Sequence, residues 1–383
     1  MRHLLPLLSL TGCVSQGALV AEPVPREPVT NVTLGAPLQT PLPDGWGNPL
    51  AADMDADGII DLVSMTEDGD VAWMRGDGNG NFDLDILLSV EDLQTRVVEQ
   101  ITGDSSSTTF IDDFDLVDVD GDGVVDLQLT LRFTEAQSFQ IVSGVLFSPT
   151  RLAAWQTWTE TQNHRVTSIG DLDGDGRVEW IEFSQTPAIH TSTGQVWPLT
   201  DAVSWVYYPY AGTLLVDGET LFITLVDGGF GISQIETWAV TASGLEPRPS
   251  IEGIYAQTAV FGPERLEVAD EVMMVSSTGI DRFDGTAVVP AFQSSDDQSF
   301  FNPSIGDFTG DGRLDVLIAD GTNPARLHAS SADNTLVDMA IRTPELPGFD
   351  TLAVDINGDG LDDLVQIAWN NGETILSVWM NES

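Results

Sequence analysis

The chain has 383 residues, of which 60 are Asp or Glu and 14 are Lys or Arg, for a formal net charge of −46. Every basic residue is Arg, and so few cations in so acidic a field exclude nucleic acid and anionic membrane surfaces as partners. An apolar fraction of 42% and 36 glycines exclude wholesale disorder and fit a folded core threaded by many tight turns.

In chain order, Met1-Arg2-His3 is a short basic start and Leu4 to Leu10 is apolar, followed by Thr11-Gly12-Cys13. This apolar stretch is too short to span a bilayer but suits an export signal. Leu10-Thr11-Gly12-Cys13 resembles the lipobox of bacterial lipoproteins, in which the Cys becomes lipidated. Residues 1–12 are therefore read as a signal peptide and Cys13 as the lipidated residue. The alternative is an ordinary export signal in which Cys13 is incidental. Cys13 is the single Cys of the sequence, so no intrachain disulfide can form. The expected location is outside the cytoplasm, lipid-anchored to the bacterial outer membrane or cell surface. Residues 13–29 hold Pro23, Pro25 and Pro28 and read as a semi-rigid tether. The folded domain is assigned to residues 30–383, with a lone strand expected near Val32.

From residue 53 onward an acidic nonapeptide recurs five times, each time leading into an apolar run. It reads Asp53-Met-Asp55-Ala-Asp57-Gly58-Ile-Ile-Asp61, Asp118-Val-Asp120-Gly-Asp122-Gly123-Val-Val-Asp126 and Asp171-Leu-Asp173-Gly-Asp175-Gly176-Arg-Val-Glu179. Two altered copies follow, Asp307-Phe-Thr309-Gly-Asp311-Gly312-Arg-Leu-Asp315 and Asp355-Ile-Asn357-Gly-Asp359-Gly360-Leu-Asp-Asp363. Oxygen ligands at positions 1, 3, 5 and 9 can wrap one hard cation. Calcium takes roughly six to eight oxygens at about 2.3–2.6 Å, and the Gly at position 6 lets the backbone reverse beside it. Up to five calcium ions are expected. The first three loops carry four ligand carboxylates each; Thr309 and Asn357 reduce the last two to three, so weaker binding is expected there, most of all at Thr309.

The loops begin at 53, 118, 171, 307 and 355, at intervals of 65, 53, 136 and 48 residues. A third of the long gap is about 45 residues, the size of one four-stranded propeller blade. Two further units without the ligand ladder are expected in that gap, at Val216-Asp217-Gly218-Glu219-Thr220 and Val268-Ala269-Asp270-Glu271. The texture within a unit is all β. In the first, strands are expected over Leu62–Met65, Val71–Met74 and Phe82–Leu88, separated by Gly- and Asp-rich turns. The final unit offers Leu364–Trp369 and Thr374–Met380 after its loop, one strand short of four. The N-terminal strand near Val32 would supply the fourth and remove an exposed edge.

These residues resemble the FG-GAP and VCBS-type repeats found in integrin α-subunit propellers and many bacterial surface proteins. Asp61-Leu62-Val63, Asp315-Val316-Leu317 and Asp363-Leu364-Val365 match the end of that repeat well, and Glu179-Trp180-Ile181 departs most. The resemblance covers about residues 45–383, the middle third in rhythm only. It implies an all-β, seven-bladed β-propeller with calcium in the hairpin loops of several blades and the ring closed by an N-terminal strand. It also implies a backbone carbonyl ligand at position 7, which is Ile59, Val124, Arg177, Arg313 and Leu361. The third loop also fits the EF-hand pattern with Glu182 at position 12, but no helix is expected to flank any loop.

No convergent nucleophile, base and open metal site can be assembled from the sequence. His164, His190 and His328 are isolated and read as structural residues. Trp73, Trp180, Trp238 and Trp379 fall in expected strands and read as blade-packing residues. Trp155, Trp158 and the cluster Trp205-Val-Tyr207-Tyr208-Pro-Tyr210 are less regular, and the cluster is a candidate glycan contact. The leading reading is a monomeric binding or adhesion protein of the cell envelope that recognises a protein or glycan partner through its loops. It would touch the membrane only through its lipid. The alternatives are a polysaccharide lyase or glycosidase on the same scaffold, and a structural envelope component.

Overall fold

The computed structural model describes residues 29, 31–43, 49–93, 108–119, 124–135, 138–146, 155–159, 165–172, 177–183, 187–199, 210–216, 219–227, 232–241, 243–256, 258–265, 268–276, 279–293, 303–318, 325–331, 336–339, 341–342, 351–370 and 373–383. The signal segment, most of the tether, Cys13, His164 and Trp205 to Tyr208 lie outside them. Strand dominates. Among the described residues the one α-helix is Val90–Leu93, and no helix is long and apolar enough to cross a membrane.

Five four-stranded antiparallel sheets follow one another along the chain. A nine-stranded sheet in the middle is held together by one parallel bridge, Leu214 to Ala269. On one side of that bridge stand the strands of 210–256, on the other those of 258–293. The first sheet shows why each unit folds as it does. Its strands are Leu50–Ala52, Asp61–Met65, Val71–Gly76 and Phe82–Leu88. Leu50–Ala52 and nearly all of Asp61–Met65 are buried, while the middle of Phe82–Leu88 is exposed. An inner strand covered on both faces reads as an unbroken apolar run, and the outermost strand carries the polar residues. Two short turns join the strands. The Gly69 N–H donates to the Thr66 carbonyl at 2.9 Å with Gly69 at φ 84°, a left-handed conformation that favours glycine. The Asp77 carboxylate accepts the backbone N–H groups of Asn79 and Asn81 and the Asn81 amide; the last bond, above all, holds its carboxyl below the usual range.

Apolar clusters join consecutive sheets. Val63 and Trp73 pack with Leu127 and Leu129, and Val117 and Val119 with Val178. Ile181 and Trp197 meet Phe222 and Trp238. Leu214 and Ile223 meet Val272 and Phe283. Met273 and Ile280 meet Leu314 and Val316, and Phe308 and Leu317 meet Leu364 and Trp379. A further cluster returns from the last sheet to the first, through Val354, Val365 and Val378 against Leu62, Met74 and Phe82.

Two expectations need correction. The fourth strand of the last sheet is Leu38–Leu42, antiparallel to Glu373–Trp379, rather than the segment at Val32. Pro41 stands in that strand opposite Ile375, which an edge position tolerates because a missing N–H costs little there. Val32–Thr33 instead pairs in parallel with Ile341–Arg342. In the loopless units, Tyr210–Val216 pairs antiparallel with Glu219–Asp227, Val216 standing opposite Glu219. Val268 to Glu271 is not a turn at all: it begins the nine-residue strand Val268–Ser276, whose β-branched residues continue the ladder.

Candidate metal centres

Each acidic loop sits between the first and second strands of its sheet, so its position 9 is the first residue of the second strand. Asp61, Asp126, Glu179, Asp315 and Asp363 are all at most 1% exposed. Their carboxylates are tied to backbone. One oxygen accepts an N–H from the start of the same loop: Met54 to Asp61 at 3.1 Å, Val119 to Asp126 at 3.0 Å, Leu172 to Glu179 at 2.6 Å, Thr309 to Asp315 at 3.0 Å and Ile356 to Asp363 at 3.0 Å. In four loops the second oxygen accepts from beyond the third strand's start: Gly76 to Asp61 at 2.8 Å, Ser192 to Glu179 at 3.2 Å, Ser330 to Asp315 at 2.8 Å and Asn381 to Asp363 at 2.6 Å. Position 9 is thus a bracket between loop and sheet as well as an oxygen donor. The approach at Gly76 is close enough that a Cβ would stand 2.2 Å from the Ile60 carbonyl oxygen. Gly76→Ala is expected to cost about 1–3 kcal/mol of stability, read as a lower midpoint in urea; an unchanged midpoint would show that the two strands can part there freely.

Position 1 orders the turn. Asp53 accepts the N–H groups of Asp57 and Gly58 at 3.1 and 2.9 Å. Asp307 accepts those of Gly310, Asp311 and Gly312 at 2.7, 3.1 and 2.7 Å, and Asp355 those of Asp359 and Gly360 at 3.1 and 2.8 Å. Position 5 accepts from position 7, Ile59 to Asp57, Arg313 to Asp311 and Leu361 to Asp359, at 2.9, 3.0 and 3.0 Å. Gly58, Gly312 and Gly360 hold φ of 85°, 77° and 84°. Position 6 is therefore Gly for a conformational reason.

In the first loop Asp53, Asp55 and Asp61 bring ligand oxygens within 4.8 Å of one another, a cluster that could hold a metal ion. Arg75 reaches Asp55 Oδ2 at 3.2 Å, but Asp55 Oδ1 is buried without a hydrogen-bond partner. Thr309, at position 3 of the fourth loop, is buried with its side chain beside the Asp315 carboxylate. Buried acceptors without donors are costly, and a hard cation is the partner an all-oxygen set fits. Asp120, Asp122, Asp173 and Asp175 lie outside the described residues.

Crowding and burial raise the acidities' midpoints. Burial pushes Asp61 up to about 6, Asp363 to about 7 and Asp315 to about 8, against backbone donors that pull the other way. Burial first, and then the neighbouring charges of Asp57 and Asp53, raise Asp55, with Arg75 opposing. Burial also raises Asp307 and Asp355.

The strand Arg165–Gly170 precedes the third loop and Glu179–Phe183 follows it, so Glu182 lies in a strand and not in an EF-hand helix. Its carboxylate meets His190 Nε2 at 3.0 Å, and His190 stacks on Trp180 with ring centroids 5.9 Å apart. His328 is buried beside Phe292 at 4.3 Å. Trp73, Trp238 and Trp379 are buried in the clusters between sheets. Trp155, Trp158 and Tyr210 belong to strands.

Sequence and structure comparisons agree on the scaffold. No curated protein matches the sequence. Among solved structures, the chain is similar to BBS1N in a crystal structure with ARL6DN, at a TM-score of 0.52 and 11% identity over 91% of this chain and 97% of that one. It is less similar to a Mycobacterium tuberculosis puromycin-hydrolyzing peptidase, at 0.45 and 14% over 87% and 50% of the two chains. A Bacillus licheniformis rhamnogalacturonan lyase gives 0.37 and 12% over 84% and 80%. Residues 307–377, which span the fourth and fifth loops, match the family model of the FG-GAP-like repeat: an FG-GAP-like repeat is present in a nearly all-β chain whose structural neighbours are propeller-like.

Proposed function

We propose that this chain is a calcium-stabilised, seven-bladed propeller that binds a protein or glycan partner at the bacterial cell envelope. The observation that carries the calcium reading is the first loop, where Asp53, Asp55 and Asp61 bring ligand oxygens within 4.8 Å of one another and Asp55 Oδ1 is buried without a hydrogen-bond partner. Calcium would be held by Asp53, Asp55, Asp57 and Asp61 in the first loop and by Asp307, Thr309, Asp311 and Asp315 in the fourth. The carboxylates of the other three loops would act alike, with position 7 adding a carbonyl. The ion would supply positive charge to groups that otherwise repel one another. The chain's own residues orient the loop through positions 1 and 9.

Support for the ring comes from the clusters between sheets. Five four-stranded sheets and the two halves of the nine-stranded one make seven units, and the clusters run from each to the next and from the last back to the first. Leu38–Leu42 would act as the closing strand. A ring of short sheets presents its loops on two faces, which suits recognition rather than enclosure of a small substrate. The similar BBS1N chain was crystallised with a protein partner, which favours a protein ligand here. Export and lipidation at Cys13 would place those faces outside the cell.

The test is capture from envelope extracts and on glycan arrays, with calcium present and with it chelated. A partner retained only with calcium is expected. Turnover of a polysaccharide panel with no retained partner would replace this reading with an enzymatic one.

A further inference from the structure

Residues 29–35 and 380–383 form a clasp, and the clasp is built on the fourth and fifth acidic loops. The two segments hold each other through Gly35 N–H to the Met380 carbonyl, Glu382 N–H to the Thr33 carbonyl and Thr33 N–H to Ser383 Oγ, each at 2.8 Å. Leu34 and Asn381 form an antiparallel bridge.

From this clasp four bonds run into the loops. Val29 donates its N–H to the Thr309 carbonyl at 3.0 Å. Asn381 donates its backbone N–H to Asp363 Oδ1 at 2.6 Å. The Asn381 amide donates to the carbonyls of Phe308 and Asp362 at 3.0 and 3.2 Å. The residues contacted are positions 2 and 3 of the fourth loop and positions 8 and 9 of the fifth. Val32, Leu34, Phe308 and Trp379 fill the apolar cluster beneath them, and Asn381 is only 2% exposed.

The two loops also hold each other. Asp307 donates its N–H to Asp362 Oδ2 at 2.6 Å, and Asp362 donates its N–H to the Asp307 carbonyl at 3.0 Å. The Asp362 carboxylate fits because residue 306 has no Cβ; one built there would lie 2.3 Å from Asp362 Oδ2. Where the other described loops have an apolar residue at position 8, such as Ile60 or Leu314, the fifth has Asp362. Asp307 is position 1 of its own loop, so a group that would ligate one ion is fixed by a residue of the next loop.

We propose that cation occupancy of the fourth and fifth loops fastens the clasp, and that these two sites load as a coupled pair. The proposal rests on the calcium reading above. Like charges at positions 1, 5 and 9 repel when no ion is present. A loop that spreads carries with it the carbonyls of Phe308 and Thr309 and the carboxylate of Asp363. Those are the acceptors of the clasp, so withdrawing the ion frees Val29 and residues 31–35. By linkage, an intact clasp must in turn tighten the two sites.

The test is hydrogen exchange of the whole chain with calcium as the sole added ion, read at residues 32–35 and 376–382, alongside calorimetric calcium titration. Calcium withdrawal is expected to speed exchange there at least tenfold, while the loopless strand Ile232–Thr241 reports global opening and stays slow. In saturating calcium, Asp311→Asn is expected to reproduce the loosening and Asp57→Asn, in the first loop, to leave the clasp slow. Asn381→Ala is expected to weaken two sites about tenfold and spare the rest. Calcium that binds without slowing the clasp, or a clasp that responds equally to Asp57→Asn and Asp311→Asn, overturns the coupling alone. A chain that binds no calcium overturns the calcium reading and the coupling with it.

Discussion

Stripping calcium from the protein is expected to lower its melting temperature by on the order of 20 °C. A ligand at a hundred times its dissociation constant stabilises the folded state by about 2.7 kcal/mol per site. Five such sites would sum to about 13 kcal/mol, as large as the whole stability of a typical folded chain. The loss falls at a sensitive place. Every loop joins the first two strands of its sheet, and every position-9 carboxylate is buried, so an unneutralised loop disturbs the hairpin it initiates. Differential scanning calorimetry in calcium and after chelation checks this; coincident melts would remove the ions from any structural role.

Stability of the metal-stripped protein is expected to fall between about pH 5.5 and pH 8, with a melting temperature lower by on the order of 10 °C at the upper end. The reference carboxyl value is 3.8, and burial raises Asp61 to about 6, Asp362 and Asp363 to about 7 and Asp315 to about 8. A carboxyl raised on folding binds its proton more tightly in the folded chain than in the unfolded one. Protonation therefore favours the fold below the raised midpoints, and that contribution is lost as pH climbs through them. Saturating calcium should reverse the slope, because the ion binds the ionised form. A metal-stripped melt that is flat from pH 5.5 to 8 would show that these four carboxyls are not held against their charge.

Much of the scaffold is legible in the sequence because loop and strand are adjacent there. Asp61–Met65, Val71–Gly76, Phe82–Leu88, Asp363–Asn370 and Glu373–Trp379 lie within a residue or two of the expected strands, since apolar runs between Gly- and Asp-rich turns leave little choice. The fourth strand of the last sheet is harder to see. Leu38–Leu42 contains Pro41, which argues against strand in any position but an edge, and its partner is more than three hundred residues away. The bracket at position 9 is also invisible to spacing, because its second donor is a backbone N–H supplied 13 to 18 residues later by Gly76, Ser192, Ser330 or Asn381. Backbone donors leave no signature in side-chain identity. Asp362 did leave one, a carboxylate where the earlier loops have Ile60, Val125, Val178 and Leu314, and its contact with Asp307 explains the exception.

The pairing of Leu38 with Val378 has a consequence for how the chain acquires its shape. The equilibrium cost of closing so long a loop grows only with the logarithm of its length, but contacts of such separation form late. The other four-stranded sheets and the nine-stranded one can assemble from neighbours as synthesis proceeds, whereas Val32–Thr33 must also wait for Ile341–Arg342. Leu38–Leu42 must wait, unpaired, until Glu373–Trp379 has emerged. Until then Leu38–Leu42 has no edge to fill. A nascent chain halted before residue 373 would hold its earlier sheets while Leu38–Leu42 stayed without its partner strand.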